Sequence, residues 1–299
     1  MNSECSAVKG AEKLPLFGFL NVYKPQGLTS HDVVARMRRV IKIKQIGHTG
    51  TLDPFAEGVL PVCIGKSTRL IEYLADDKEY LAFVKFGIET DTYDLEGEVA
   101  AVSDKKVLEA EISEQLKNFL GEISQMPPIY SAIKVKGKKL YEYAREGKEV
   151  EIQPRKVAIE KIELKNFDFA SQTAEILIKC SKGTYIRSIA HDLGKNLGCG
   201  AHLVKLIRTQ AGSFFVKNSI PLENFETPEI VRENLINPVK MLDYPKIIVG
   251  DDEHAKIQNG VAIANNGLAS GKVVILIYND IINAVGLTDG KKILIKKVF

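Results

Sequence analysis

The sequence predicts a mixed α+β fold with substantial antiparallel sheet and a small β-rich tail, on three observations. Helix-type and strand-type apolar periods alternate without the regular βαβ rhythm that builds a doubly wound sheet. After Pro245 the texture changes to short β runs separated by Gly, Asn and Asp, the pattern of a small barrel or sandwich. With 299 residues, 45% of them hydrophobic, the chain can fill one large core and one small one. Residues 1–15 are expected to form a flexible leader, residues 16–246 the large domain and residues 247–299 the small one.

The elements follow in order. Leu16 to Tyr23 reads as a strand, and Lys24-Pro25-Gln26-Gly27 as the turn that ends it. Thr29 or Ser30 is placed to cap a helix reaching Ile41, with Val33, Val34, Met37, Val40 and Ile41 on one face. A glycine-punctuated loop, Gly47 to Gly58, precedes a buried strand over Val59–Ile64, a short helix over Lys66–Leu74 and a strand over Tyr80–Phe86. A helix from about Asp104 to Leu120 should bury Val107, Leu108, Ile112, Leu116 and Phe119. Strands are predicted over 157–169 and 173–180, a helix over Tyr185–Leu197, and short helical pieces between Pro221 and Met241. In the tail, Ile247–Val249, Val273–Tyr278, Ile282–Leu287 and Ile293–Val298 read as strands.

No apolar run reaches the length of about 20 residues that spans a bilayer, and the first residues carry no secretory pattern. Cys5, Cys63, Cys180 and Cys199 are widely spaced, so free thiols in a reducing cytoplasm are expected. The net charge of +3 is small, but the positive charge is concentrated. Residues 36–44 hold five basic side chains and no acid, residues 132–148 six basic and two acidic, and the last nine residues four lysines. Each run alone fits a solvated face. Together, with Tyr141 and Tyr143 interleaved, they point to a polyanion whose phosphates attract cations and whose bases stack. The stretch Pro127–Gly147 is expected to be mobile when free and to order on RNA.

The chemistry is concentrated in GHTGTLDPFAEG, residues 47–58. Its glycines let backbone approach a bulky ligand, and Pro54 biases Asp53 towards an extended conformation. Asp-Pro by itself is an ordinary turn signal. The longer segment GHTGTLDPFAEGVLPVCIGKSTR, however, resembles the catalytic motif of the tRNA pseudouridine synthase B family. GFLNVYKPQGLTSHDVV resembles that family's lysine-proline-glycine block, and DKEYLAFVKFGIETDTYDLEGE its tyrosine strand and acidic turn. PPIYSAIKVKGKKLYEYAREG resembles its RNA-clasping insertion, and CSKGTYIRSIAHDLG and GAHLVKLIRTQAGSF two further blocks. The likeness covers residues 16–216 strongly and the tail weakly.

The resemblance implies a pseudouridine synthase catalytic domain with a central, mainly antiparallel sheet, an insertion at about 124–152 and a small PUA-like RNA-binding domain. It implies isomerisation of the uridine at tRNA position 55, in the T loop: N1 leaves the ribose carbon and C5 replaces it. Neither redox chemistry nor hydrolysis occurs, so no metal or organic cofactor is expected. The substrate must be flipped out of its stack to be reached. The family pattern assigns Asp53 as the essential carboxylate and Arg187 as its partner, which should keep it ionised. Whether Asp53 attacks the sugar, attacks the base or removes a sugar proton stays open. Tyr80 matches the tyrosine that stacks on the base and takes the proton from C5. Tyr185, His48 and Leu203 match pocket residues, and Lys24 a support of the loop. Lys136, Lys138 and Lys139 fall in the insertion that grips RNA. Glu57 is read as structural.

Gly65-Lys66-Ser67 ends like a phosphate-binding loop, but Leu60 stands where its first glycine belongs. His191, Cys199 and His202 lack a fourth ligand at zinc spacing. Two rivals are a guide-RNA-dependent relative that modifies ribosomal RNA with partner proteins, and a silent RNA-binding or RNA-folding protein on the same scaffold. The expected partner is tRNA, without obligate protein partner or membrane, acted on by a monomer.

Overall fold

The computed structural model describes residues 16–131, 133–135, 137–148 and 150–299. The leader with Cys5, Lys136 and the side chain of Tyr141 lie outside the described residues.

The chain runs β1 (Gly18–Lys24), α1 (Ser30–Ile41), β2 (Ile46–His48), β3 (Glu57–Ile64), a 3-10 helix (Gly65–Tyr73), β4 (Lys78–Phe86), and the short pair β5 (Ile88–Thr90) and β6 (Val99–Val102). It continues through α2 (Glu109–Leu116), β7 (Gly121–Gln125), a small hairpin of β8 (Lys134–Val135) and β9 (Lys138–Lys139), and α3 (Leu140–Arg145). Then follow β10 (Arg155–Asp168), β11 (Thr173–Cys180), α4 (Ile186–Asn196), β12 (Ala201–Ala211), β13 (Phe214–Phe215), β14 (Ile220–Pro221) and α5 (Pro228–Glu233). The tail comprises β15 (Lys246–Ile248), α6 (Asp251–Gln258), β16 (Ile263–Ala264), β17 (Val273–Tyr278), β18 (Ile281–Thr288) and β19 (Lys292–Val298).

A ten-stranded sheet in the order β14-β1-β3-β12-β4-β11-β10-β7, with β2 on β3 and β13 on β12, forms the body. Its pairs are antiparallel except β1–β14 and β3–β12. Strict alternation along β4 buries Lys78, Tyr80, Ala82, Val84 and Phe86 on one face. That face, with α2 and α4, closes the main core. Thr29 caps α1 reciprocally: the Asp32 amide donates to its hydroxyl at 3.1 Å and its own amide donates to Asp32 Oδ2 at 2.8 Å. Val33, Val34, Met37 and Ile41 are buried as the spacing predicts. A five-stranded tail sheet, β15-β17-β18-β19-β16, shares a core with the body through Phe19, Phe214, Ile275, Ile277 and Val285.

Several expectations differ in detail. The 104–120 helix is regular only over Glu109–Leu116, and Leu108 is 55% exposed because it occupies the cap position, its amide donating to Glu111. Residues 65–73 form a 3-10 helix. The long strand β12 and the helix α6 were not anticipated. No helix among the described residues is long and apolar enough to cross a membrane, and Cys63, Cys180 and Cys199 are buried free thiols.

Candidate active site

Strands β2 and β3 pair antiparallel, His48 opposite Val62, so residues 49–56 leave the sheet as a loop with both ends fixed. Leu52, Phe55 and Ala56 are buried in the main core and leave Asp53 between them partly exposed. The loop is held from three sides. Ser30 Oγ accepts from the Leu52 amide at 2.8 Å and donates to its carbonyl at 3.1 Å. The Gly27 amide donates to Pro54 O at 2.8 Å, where Gly27 adopts φ +88°, a conformation suited to glycine. Lys24, fully buried, donates to the carbonyls of Leu28 (2.6 Å), Pro25 (2.9 Å) and Pro54 (3.3 Å). Burial lowers its pKa to about 8.

From the opposite wall, the first turn of α4 presents Arg187. Its Nε lies 3.1 Å from Asp53 Oδ2 and its Nη1 3.3 Å from Asp94 Oδ2, while Thr92 O (3.3 Å) and Tyr130 O (3.0 Å) accept its other protons. Asp94 is buried and tied to the Thr92 hydroxyl at 2.6 Å. The guanidinium therefore bridges two carboxylates and is fixed by two carbonyls, a rigid planar clamp. About a third of the Asp53 side chain, 35%, is exposed. Oδ1 of Asp53 has no partner among the described residues.

Desolvation moves the Asp53 pKa upward and Asp94 adds to the rise, while Arg187 and Lys24 oppose it. The expected guanidinium is present and pulls towards ionisation, but the protein surrounding the carboxyl outweighs it. Glu96, near the mouth, is shifted upward by burial and by the charges of Asp94 and Asp53.

Tyr80 reaches this space from β4 and is 8% exposed; burial raises its pKa. Tyr185 stands at the cap of α4, its amide and carbonyl both held by the Gln125 side chain at 2.8 and 2.9 Å. His48 accepts from the Gly50 amide at 3.3 Å, and burial lowers its pKa. Leu203 is fully buried, opposite Val84 on β4; Leu206, opposite Ala82, is the closer of the two in register to Tyr80. Glu57 pairs with Lys205 at 3.0 Å, away from Arg187. The structure thus brings Arg187, Lys24, Tyr80 and Tyr185 within electrostatic reach of Asp53, whereas His48 is tied to Gly50 and to the charge of Arg208. Lys138 and Lys139 belong to the separate β8–β9 hairpin: Lys138 pairs with Glu146 and lies over the Tyr143 ring, and the Lys139 amide donates to Glu142. Tyr130 O links the start of that insertion to Arg187.

Two site residues escaped the sequence. Asp94 lay in the acidic turn among several carboxylates, with nothing to single it out. Arg208, 1% exposed on β12, donates to Val59 O (2.6 Å), Gly50 O (3.2 Å) and Thr51 O (3.4 Å). An arginine in an apolar strand gives no local sign that it is buried.

A sequence profile described as the TruB family pseudouridylate synthase N-terminal domain matches residues 38–186, and one described as the tRNA pseudouridylate synthase B C-terminal domain matches residues 187–241. A protein of Clostridium novyi named tRNA pseudouridine synthase B is 46% identical over 252 residues, 84% of this chain and 86% of that one. The chain belongs to the TruB family. A namesake from Caldanaerobacter subterraneus is 43% identical over 286 residues, 94% of this chain and 99% of that protein. Among solved structures, a chain of an H/ACA ribonucleoprotein bound to a substrate RNA containing 2'-deoxyuridine is 27% identical. It superposes with a TM-score of 0.70 over 95% of this chain and 85% of its own. The TruB fold accounts for the mixed α+β body and the β-rich tail.

Proposed function

We propose that this TruB-family chain is a stand-alone tRNA pseudouridine synthase that isomerises the T-loop uridine at tRNA position 55. The observation that carries the reading is the Asp94–Arg187–Asp53 line, with one Asp53 oxygen left without a partner among the described residues. The curated relatives, similar along most of the chain, bear a tRNA enzyme's name. This favours tRNA over a guided ribosomal substrate, and the intact set of reactive groups disfavours a silent RNA-binding role.

In this reading the uridine is everted into the cleft, at an unstacking cost of a few kcal/mol. Asp53, fixed by Arg187, acts at the sugar–base junction with Oδ1 while the N1–C1' bond breaks. The detached base stays between Tyr80 and the apolar side chains beside it, turns, and bonds to C1' through C5. Tyr80, as the phenolate left once its own proton has passed to water, accepts the C5 proton; the C5–H electron pair forms the C5–C6 double bond, the C6–N1 double-bond pair returns to N1, and N1 takes a proton from water. One acting carboxylate suffices because the leaving base is recaptured. Lys24 and His48 shape the loop and its mouth, and Tyr185 and Leu203 the pocket wall. Lys136, Lys138 and Lys139 in the 124–152 insertion meet phosphates. Residues 16–246 form the catalytic unit and 247–299 a PUA-like RNA-binding unit, in a monomer working in the cytoplasm.

The test is incubation of the purified protein alone with unmodified tRNA, followed by mapping of the modified base. Pseudouridine at the T-loop uridine is expected; no product without a guide RNA or partner protein overturns the reading.

A further inference from the structure

Arg208 is a cation without a carboxylate. Among the described residues its guanidinium meets only backbone carbonyls, Val59, Gly50 and Thr51, and it is almost completely enclosed. Burying an unpaired charge is costly, and a neutral residue making fewer demands would be the simpler way to fill the site. The charge is therefore placed for what surrounds it. On one side Arg208 pairs in register with Gly58, which follows the catalytic loop; on the other it pairs with Tyr80. Gly58 adopts φ +108°, and a Cβ there would lie 2.3 Å from the Arg208 carbonyl oxygen, so the two backbones meet closely. The side chain holds the carbonyls of residues 50 and 51, three and two positions before Asp53. Its positive charge stands on the strand position paired with Tyr80 and opposes the rise that burial causes in the pKa of the Tyr80 hydroxyl.

We infer that Arg208 is a positioning residue that locks the catalytic loop to Tyr80 and steadies the phenolate form of Tyr80, the form able to take the C5 proton. This rests on the reading of Tyr80 as the group that removes that proton. The planar fork fits the task because it reaches several carbonyls in fixed directions. Arg187 orders the carboxylate that breaks one bond; Arg208 ties that carboxylate's loop to the group that completes the other.

The test compares wild type, Arg208→Gln and Arg208→Lys on tRNA with protium or deuterium at C5 of the target uridine. Single-turnover rate, tRNA affinity and thermal unfolding are measured for each protein. Arg208→Gln should lose about a hundredfold in rate, the scale of a proton-transfer contribution. Its tRNA affinity should hold, and it should turn over the deuterated substrate more slowly than the protiated one, a difference absent from wild type. Arg208→Lys, which keeps the charge, should recover at least about tenfold of the loss. The inference is overturned if Arg208→Gln slows without any C5 isotope dependence, or if its loss lies entirely in tRNA affinity. Should Arg208→Gln fail to fold, a folded Arg208→Lys as slow as Tyr80→Phe overturns it equally. Wild type that releases no C5 hydrogen at all would instead overturn the underlying reading of the reaction.

Discussion

Lys24 and Lys138 are lysines of one chain put to opposite uses. Lys24 has no exposed surface and gives its protons to three backbone carbonyls of two turns, one of which carries Asp53. Lys138 keeps 33% of its side chain exposed and pairs with Glu146, a carboxylate it shares with Lys148. The same division separates the two regions. Around Asp53, charged groups are enclosed and held by backbone, so their positions are fixed before substrate arrives. In the hairpin insertion, ion pairs are superficial and contribute little to stability, and on the proposed reading they give way to phosphates. The enclosed region should therefore answer to pH and to single-atom changes, and the insertion to salt.

The largest effect expected from this contrast is at the carboxylate. Asp53→Asn should lower the single-turnover rate by about a thousandfold or more while tRNA affinity stays within severalfold. Activity near wild type would break the distinction at its centre. Next is Asp94→Asn, which leaves Arg187 with one fewer anchor; a loss of about a hundredfold in rate is expected at unchanged affinity. A defect confined to affinity would place Asp94 with the RNA-gripping groups instead.

The third concerns pH. Lys24 and Lys78 have folded-state pKa values lowered to about 8 from 10.5, so the folded protein releases these protons before the unfolded chain does. Unfolding free energy should therefore rise from pH 8 towards pH 10. It should turn down above pH 10, because burial and Glu57 raise Tyr23 to about 12 and the folded state then retains the extra proton. Activity should fall over the window in which stability rises, as Lys24 loses its charge and a donor to the loop. Denaturant titrations and rates measured across that range check the opposed trends; a parallel decline would remove the enclosed lysines from the explanation. The smallest effect is on the other side. Replacing Lys138 and Lys139 with alanine should weaken tRNA binding severalfold and flatten its salt dependence by about one unit of slope per lost phosphate contact. The melting temperature should stay nearly constant.

Much of the enclosed site was legible because its residues lie in contiguous motifs: Asp53 between glycines and proline, Lys24 in its turn, Arg187 opening a helix. The capped helix α1 and the alternating strand β4 were equally plain, since each displays a single period. What escaped depends on contacts distant in sequence. Ser30 competed with Thr29 for the cap and is instead recruited by Leu52. Arg208 meets partners about 150 positions earlier, which no local pattern records. In α6, DDEHAKIQ, Ile257 is the one residue fully withdrawn from solvent, too little apolar character to trace a helical stripe. Leu203 was chosen as pocket wall from its motif block; it lies opposite Val84, while Leu206, opposite Ala82, has no mark in the sequence that sets it apart as the one nearer Tyr80 in register.

The tail sheet has a mechanical consequence. Phe19 meets Phe214 edge-on at 5.9 Å in the same cluster that receives Ile275, Ile277 and Val285 from the tail. At the rim Phe17 touches Phe299, and Arg69 donates to Val298 O at 2.8 Å. Body and tail therefore fold around one shared apolar cluster, which ties the tail to the sheet. The molecule is a calliper with welded jaws: its span is set when the chain folds, and accommodation of a misshapen RNA falls to the RNA or to the hairpin between β7 and β10.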